Sequence, residues 1–189
     1  TPILSSPQSD YTFTLSQGYY SMILGGGSNG TYVIAPAPID YWSIVTDSIS
    51  YSVLIDSTYN SYDSLDFGFF PDTLIQELKV DLEGSSMQRC NLEIPMQITL
   101  HNTGTTILQD AVIHLVLDPT VSFLSSSITP DSILSNNVYW HIDSLFYFEY
   151  ESIKLTFLNP DASFMGTNLV HTVNVIGPDS SGTISYQAT

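Results

Sequence analysis

Apolar and polar residues alternate with a period of two along most of this chain, and this pattern constrains its fold more than any other feature. Successive side chains of a β-strand point to opposite faces of a sheet, so the alternation predicts half-buried strands. The apolar members of the clearest runs are Tyr11/Phe13/Leu15, Tyr51/Val53/Ile55, Leu65/Phe67/Phe69, Leu78/Val80/Leu82, Ile94/Met96/Ile98/Leu100, Ile113/Leu115/Leu117, Val138/Trp140/Ile142 and Ile153/Leu155/Phe157. Such short runs predict an all-β protein built of sandwiches rather than of βαβ units.

Dense turn signals separate these runs. Gly, Pro, Asn and Asp cluster at residues 25–30, 102–104, 118–119, 129–131, 159–161 and 177–179. Asn102-Thr103-Gly104 is predicted to turn a β-hairpin. One segment, from Asp72 to Lys79, has the pattern of a short helix, but the period-two alternation that continues past it favours a linker running into a strand.

A boundary near Pro71-Asp72 divides the chain into two predicted modules. Residues 64–70 read as the closing strand of the first module, which has about five strands and is small for an independent core. Residues 72–189 hold seven or eight strand candidates, over about 115 residues that suit one sandwich. We therefore predict two tandem β-sandwich modules, residues 1–71 and residues 72–189. The first either lacks its opening strands or leans on its neighbour.

Positive charge is almost absent from the sequence. Lys79, Arg89 and Lys154 are the only basic side chains, against 19 acidic ones, and the formal net charge is −16. Nucleic acids and anionic membranes are bound through Lys and Arg, so both are excluded as partners. A hydrophobic content of 43% is enough to offset the entropy of ordering, so the charge lies on a folded body. This composition indicates a secreted or cell-surface protein that resists trypsin-like proteases.

The first residues and the single cysteine give little further information on the compartment. Residues 1–7 have neither the basic nor the apolar region of a signal peptide, and we interpret them as the cut end of something longer. No apolar run approaches the roughly 18 residues that span a bilayer. Cys90 has no partner cysteine for an internal disulfide and is interpreted as a small buried hydrophobe.

The first module resembles a known stalk domain. Asp10-Tyr11-Thr12-Phe13-Thr14-Leu15 followed by Gly18-Tyr19-Tyr20-Ser21-Met22-Ile23 is similar to the "G-x-Y-x-F-x-L-x-x-G-x-Y" hairpin of collagen-adhesin B-type domains. Those domains are transthyretin-like sandwiches of bacterial surface proteins. Asp10 stands where the first Gly is usual, and the family's first strands are absent. The resemblance implies a partial transthyretin-like β-sandwich.

The second module resembles the Ig-like conserved-repeat modules of bacterial surface proteins. The similar segments are residues 98–106, 111–118, 121–127, 138–145 and 152–157. Within them, Trp140 is expected to fill the core between two sheets. Secreted Bacteroidota proteins often place the first kind of module before the second. The resemblance implies an extracellular stalk, spacer or adhesive fibre.

Asp followed by Ser or Thr recurs more often than composition predicts. Six such pairs precede an aliphatic residue or Thr, where roughly one or two would arise by chance. The pattern is similar to the O-glycosylation rule of secreted Bacteroidota proteins. The candidate acceptors are Ser48, Ser57, Ser64, Thr73, Ser132 and Ser144. The alternative is that these pairs only start turns and cap strands. The Asn29-Gly30-Thr31 sequon is a weaker candidate.

Calcium is the metal that the abundant oxygen ligands favour, with Asp161 and Asp179 in turn sequences as candidates. No Asp-x-Asp-x-Asp-Gly loop occurs, and solvated turn carboxylates are the alternative, so the sequence leaves the metal unknown. His101, His114, His141 and His171 lie in four different predicted strands without ligand spacing. The first three fall on the polar face of their strands.

No residue constellation meets the requirements of catalysis, so we expect neither an enzyme nor a cofactor. Tyrosines are concentrated in the first module: Tyr19, Tyr20, Tyr32, Tyr41, Tyr51, Tyr59 and Tyr62 accompany Trp42. We interpret these aromatic residues as an interface with neighbouring modules of the polypeptide or with copies of the chain. The favoured function is a structural stalk or filament of a large adhesin-like protein. The alternative is an adhesion module that binds glycans or a host surface protein through the tyrosines.

Overall fold

The alternating runs of the sequence form β-strands, and the all-β prediction is confirmed. In the computed structural model, residues 2–6, 10–15, 18–24, 29–58, 61–84, 89–177 and 181–188 are described. Within these ranges the structure has no α-helix; a 3₁₀ turn lies at Ala162–Phe164, and no described helix could cross a membrane.

The chain divides into two compact units, Thr1–Thr73 and Leu74–Thr189. This division lies two residues beyond the predicted boundary. The strands of the first unit are β1 (Pro2–Ser6), β2 (Tyr11–Phe13), β3 (Gly30–Pro36), β4 (Trp42–Ile44), β5 (Tyr51–Ile55) and β6 (Phe69–Pro71). Those of the second are β7 (Leu78–Gly84), β8 (Glu93–Asn102), β9 (Leu108–Val116), β10 (Ser122–Ser126), β11 (Ser132–Leu134), β12 (Asn137–Leu145), β13 (Tyr150–Leu158), β14 (Leu169–Ile176) and β15 (Ser181–Ala188). The segment before β7 forms no helix, as predicted.

The second unit is an Ig-like sandwich of two antiparallel sheets. One sheet has the strand order β10-β13-β8-β7 and the other β11-β12-β9-β14-β15. The predicted apolar residues of β8, β9, β12 and β13 are buried in one core between them. Trp140 lies in this core at 1% exposure and donates its indole N–H to the carbonyl of Ile128 at 3.0 Å. The inference that Trp140 fills the inter-sheet core is confirmed, and its one polar atom is satisfied.

The turn at Asn102-Thr103-Gly104 does not form the predicted hairpin. β8 ends at Asn102 in one sheet, whereas β9 belongs to the other sheet. The Asn102 side chain is 1% exposed and makes the bonds that this crossing needs. Its amide donates to the carbonyls of Thr106 at 2.8 Å and Leu145 at 2.9 Å, and its oxygen accepts from the Gly104 N–H at 3.1 Å. The Asn102 side chain thus joins the two sheets where strands β8 and β12 end. In a hairpin turn this side chain would have been exposed to solvent.

The first unit has a small core on one face of a four-stranded sheet of order β2-β1-β3-β5; β4 and β6 form a separate two-stranded ribbon. Ile3, Tyr32, Ile34 and Val53 are the buried members of this core. The extended residues 18–24 and 65–67 supply half-buried side chains that pack on it. A sheet therefore covers only one side of this core, and side chains from extended segments cover the other.

Two expectations for the first unit are wrong. β1 is an interior strand with Ile3 at 1% exposure. No strand was predicted over residues 1–7, which were interpreted only as the cut end of something longer. Pro2 occupies the first strand position, where proline is tolerated. β1 also pairs with β2, and residues 18–24 form no strand, so the expected hairpin of the collagen-adhesin resemblance does not occur.

The predicted closing strand over residues 64–70 is also wrong, because the strand covers only Phe69–Pro71. Ser64 has a φ of +59°, which interrupts extended structure. The carbonyl oxygens of Leu65 and Asp66 accept from the hydroxyls of Tyr20 and Tyr51 rather than from a neighbouring strand.

Replacing Asn102 by Ala is expected to destabilise the second unit by about 2–4 kcal/mol, because the carbonyls of Thr106 and Leu145 lose a donor and the Gly104 N–H keeps only its bond to Glu77. Urea denaturation followed by tryptophan fluorescence measures the change. Asn168→Ala is the control, since Asn168 is exposed in the loop before β14. A loss below about 1 kcal/mol for Asn102→Ala would contradict a linking role for this side chain.

Candidate functional site

A groove in the first unit is the strongest candidate site among the described residues. It has a volume of about 810 Å³, and its walls are residues 18–24 and residues 61–66. Ile34, Val53 and Ile55 of the four-stranded sheet form its floor. Binding sites for small ligands and peptides occupy volumes of this order. We call this feature the groove.

Tyrosine hydroxyls hold the two walls in place. Tyr20 of the first wall donates to the carbonyl of Leu65 in the second. Tyr62 donates to the carbonyl of Leu54 at 2.7 Å and accepts from the N–H of the same residue at 3.2 Å. Leu54 lies on β5, an edge strand, so the Tyr62 hydroxyl satisfies backbone groups that a further strand would otherwise pair.

The electrostatics of the groove are negative. Asp63 and Asp66 line it, and every Lys and Arg of the chain lies beyond residue 73. Burial raises the pKa of Tyr20, and the nearby Asp66 and Tyr51 raise it further. Tyr20 therefore stays protonated and acts as the donor to Leu65.

The predicted tyrosine cluster separates into buried and exposed members. Tyr32 and Trp42 are buried, Tyr20 and Tyr51 are half-buried, and Tyr19, Tyr41 and Tyr62 are exposed. Tyr59 lies outside the described residues. The tyrosines of the groove are Tyr19, Tyr20 and Tyr62. All three belong to the aromatic cluster predicted from the sequence. Met22 and Leu24 beside them were not predicted as site residues, although their alternation with Ser21 and Ile23 is visible in the sequence.

The proposed glycosylation acceptors are scattered over both units. Ser57, Ser64, Thr73, Ser132 and Ser144 are exposed, and Ser48 is half-buried. Two of the preceding aspartates perform the capping role that was the alternative reading. Asp56 accepts from the Thr58 N–H at 2.7 Å, and Asp131 accepts from the His141 N–H. Exposure permits attachment of a glycan at five positions, and the modification itself stays a prediction.

The calcium candidates do not come together. The Asp161 carboxylate is exposed and accepts from the hydroxyl and the N–H of Ser163, which hold its pKa below the ordinary value. Asp179 lies outside the described residues. Over the described ranges, no group of three or more His, Cys, Asp or Glu side chains could hold a metal ion. The structure thus adds no ligand set to the calcium hypothesis.

The four histidines lie on separate strands, β8, β9, β12 and β14, as predicted. His141 is exposed and lies 3.1 Å from Asp143 and 3.8 Å from Asp110. His114 is half-buried, stacks on Tyr139 with ring centroids 4.4 Å apart, and bonds Asn137 at 2.8 Å. These contacts place both rings on the outer face of their sheet and bring no catalytic group together.

His171 differs from the others because it is buried, at 1% exposure. Its ring stacks on Phe157, and its Nδ1 accepts from the Asp118 N–H at 3.3 Å. Burial lowers the pKa of His171, and the Asp118 carboxylate opposes this only in part. Burial of Asp118 works to raise the pKa of that carboxyl, but hydrogen bonds from Thr120 and Val170 outweigh it and hold the pKa below the ordinary value. His171 is therefore a neutral structural acceptor.

Comparison with known proteins assigns no family. No protein-family model matches the chain, and no curated protein matches it. Among solved structures, AvmM, which catalyses macrocyclization in alchivemycin A biosynthesis, is 9% identical with a TM-score of 0.39 over 60% of this chain and 89% of that one. The GAE domain of GGA2p from Saccharomyces cerevisiae is 15% identical with a TM-score of 0.36 over 62% and 94%. The GH20 exo-β-N-acetylglucosaminidase from Vibrio harveyi is 12% identical with a TM-score of 0.32 over 60% and 18%. At these values the similarity bears on neither activity nor ligand.

Acidification is expected to weaken the second unit through His171. The unfolded state takes up a proton near the ordinary histidine pKa of about 6.5, whereas the folded state resists it to a lower pH. Stability from this group is therefore present above about pH 6.5 and falls as the pH drops toward the folded pKa, by at most about 1.4 kcal/mol per pH unit. Urea denaturation between pH 7 and pH 5 measures the slope. His171→Asn keeps an acceptor and does not titrate, so it should flatten the slope. Equal slopes for the wild type and His171→Asn would contradict the argument.

Glycosylation of the Asp-Ser/Thr sites predicts that, in protein isolated from its native host, the peptides that carry these acceptors have masses above those of the bare peptides. Peptide mapping by mass spectrometry measures the difference and should place it on exposed acceptors such as Ser57 or Ser132. Expression of the same sequence in a host without the glycosylation machinery provides the control. Bare masses for all six acceptor peptides would exclude the modification.

Proposed function

We propose that this protein is an extracellular structural spacer, a pair of β-sheet modules within a stalk or filament, rather than an enzyme. Its partners are then neighbouring modules of the same polypeptide or copies of the chain. The observation that carries the proposal is the way in which each unit holds its end of the connecting peptide. Closely anchored ends limit the freedom of a linker, which a spacer that keeps a defined reach requires.

The first unit holds the connecting peptide through Asp72, whose N–H donates to the carbonyl of Tyr41 at 2.8 Å. The second unit holds it from Ile75 onward. The Ile75 N–H donates to the Thr105 hydroxyl at 2.8 Å, and the Ile75 carbonyl accepts from the Thr105 N–H at 2.8 Å. Only Thr73 and Leu74 lie between these anchored residues.

Gly104 makes the anchoring in the second unit possible. The carbonyl of Glu77 accepts from the N–H groups of Thr103 and Gly104, each at 3.1 Å. A Cβ on Gly104 would lie 2.5 Å from the Ile75 carbonyl oxygen and 2.6 Å from the Glu77 nitrogen, both backbone atoms. Any side chain at this position would push the connecting peptide away from the turn.

The charge and surface of the chain fit a spacer outside the cell. A net charge of −16 keeps modules soluble and prevents nonspecific association. Three basic residues leave few sites for trypsin-like proteases. The resemblance to bacterial stalk modules points the same way, and the localisation at the cell surface is part of the proposal.

Small-angle scattering of the full chain tests the spacer function. We expect the wild type to give a narrow distribution of radii of gyration, whereas a flexible Gly-Ser insertion between Thr73 and Leu74 should broaden it. Gly104→Ala should broaden it in the same direction, because the anchor is pushed away. The matched control places the same insertion between Gly166 and Thr167, in an exposed loop. A wild-type distribution already as broad as that of the Thr73/Leu74 insertion would refute a spacer of defined reach.

A further inference from the structure

We propose that the groove binds an extended peptide strand of another polypeptide, which pairs with the backbone of residues 21–24. The expected strand carries apolar side chains at alternate positions, no carboxylates, and Lys or Arg toward Asp63. This inference does not depend on the spacer proposal, which concerns the peptide between Asp72 and Ile75.

Residues 19–24 of the first wall have the exposure pattern of a strand. Tyr19, Ser21 and Ile23 are exposed, whereas Tyr20, Met22 and Leu24 are half-buried against the core. Such strict alternation of exposure is the signature of extended backbone lying on an apolar surface. The segment nevertheless belongs to no sheet.

The backbone of this wall is open. Among the described residues, no backbone hydrogen bond joins residues 21–24 to any other segment. Unpaired N–H and C=O groups on an extended segment are a template for another strand, because each pair formed replaces a bond to water with a regular ladder bond. The opposite wall at residues 61–66 makes side-chain bonds to β5 but no ladder with it.

The spacing between the walls leaves room for a strand. At the Tyr20 end, the two backbones are joined through a tyrosine side chain and its hydrogen bond to Leu65. Directly paired strands lie about 4.8 Å apart, and a whole tyrosine side chain spans more than that. The two walls are therefore not directly paired with each other at Tyr20, and Met22 and Leu24, which follow in the chain, also line the groove.

The floor favours a peptide over a saccharide. Ile34, Val53 and Ile55 are aliphatic. Ile34 and Val53 are only 3% exposed, so alternate side chains of a bound strand would pack mainly on the half-buried Ile55, Met22 and Leu24. Sugars bind through flat aromatic faces and polar groups with free hydrogen-bonding capacity. Here the Tyr20 and Tyr62 hydroxyls are already bonded to backbone carbonyls.

Charge selects which strand can bind. Asp63 and Asp66 line the groove, and the first unit has no Lys or Arg to offset them. An acidic strand would be repelled. A second copy of this chain is a poor donor because it carries a net charge of −16. Of its two lysine-bearing strands, β13 is paired on both sides in its own sheet and β7 on one.

The test uses an acetylated and amidated eight-residue peptide in which valine and threonine alternate between two terminal lysines. Isothermal titration should show saturable binding with a Kd tighter than about 1 mM. Hydrogen exchange followed by NMR should show that the amides of residues 21–24 become protected at saturation. A peptide with two central prolines keeps the charge but cannot pair, so it should not bind.

Two variants provide a matched pair on the same wall. Met22→Ser removes an inward side chain and should weaken binding at least about tenfold. Ile23→Ser removes an outward one, 89% exposed, and should change the affinity less than about twofold. Melting curves report whether each variant stays folded. If Met22→Ser unfolds, the hydrogen-exchange measurement on the wild type still tests the proposal.

Three results would overturn the proposal: no peptide binding at about 1 mM, equal binding of the proline peptide, or binding that leaves residues 21–24 unprotected. A neutral oligosaccharide such as chitotetraose that binds and displaces the peptide without protecting these amides would establish a glycan site instead. Scattering and peptide binding are separate measurements, so either proposal can fail alone.

Discussion

The second unit depends on one buried side chain, that of Asn102. Its amide and oxygen satisfy backbone groups of Gly104, Thr106 and Leu145. Its own N–H and carbonyl bond to Glu149 and Phe148. A polar group buried without such partners costs more than a hydrogen bond returns, so full satisfaction makes this residue stabilising. Because Leu145 ends β12 and Asn102 ends β8, the bonds fix the two sheets relative to each other. The turn that follows Asn102 then presents Thr103, Gly104 and Thr105 to the connecting peptide, so the anchoring of that peptide depends on the same residue.

The apolar face of the β-sheet is covered in a different way in each of the two units. In the second, each sheet covers the other, and strands on both sides supply buried side chains at every second position. In the first, the sheet face that bears Ile3, Tyr32, Ile34 and Val53 is covered by extended segments whose side chains pack but whose backbones do not pair. Hydrophobic contact is non-directional and tolerates this arrangement, whereas backbone hydrogen bonding does not. The apolar surface is thus partly buried, whereas the backbone N–H and C=O groups of residues 21–24 have no described backbone partner. These open backbone groups distinguish the groove from an ordinary packing defect.

Sequence patterns predicted the second unit well because its strands are long and one face of each is buried. In β8, Ile94, Met96, Ile98 and Leu100 are all buried, so burial reproduces the alternation residue by residue. The predicted hairpin at Asn102 was wrong because an Asn-x-Gly pattern indicates a local turn but does not indicate which sheet the next strand joins. β1 was missed because residues 1–7 were interpreted only as the cut end of something longer, although Pro2 sits where a strand tolerates it. The tyrosines of the groove were predicted as part of one aromatic group. No local sequence pattern indicates that the Tyr62 hydroxyl bonds to the backbone of Leu54 on β5, eight residues away, because this contact forms only on folding.

The scarcity of positive charge limits how such a chain can recognise anything. A surface with three basic residues and 19 acidic ones has little capacity for bidentate or counterion-releasing contacts, which are the usual sources of affinity for anionic partners. Backbone groups carry no net charge, and the ladder bonds they form are the same at any protein charge. Recognition through an open strand is therefore the mode least hindered by this composition. Asp63 and Asp66 would then set which strands are repelled rather than supply the affinity, because the backbone of residues 21–24 and the half-buried apolar side chains of Met22, Leu24 and Ile55 supply the contacts. An acidic surface and a strand-binding groove are in this sense compatible features of one protein.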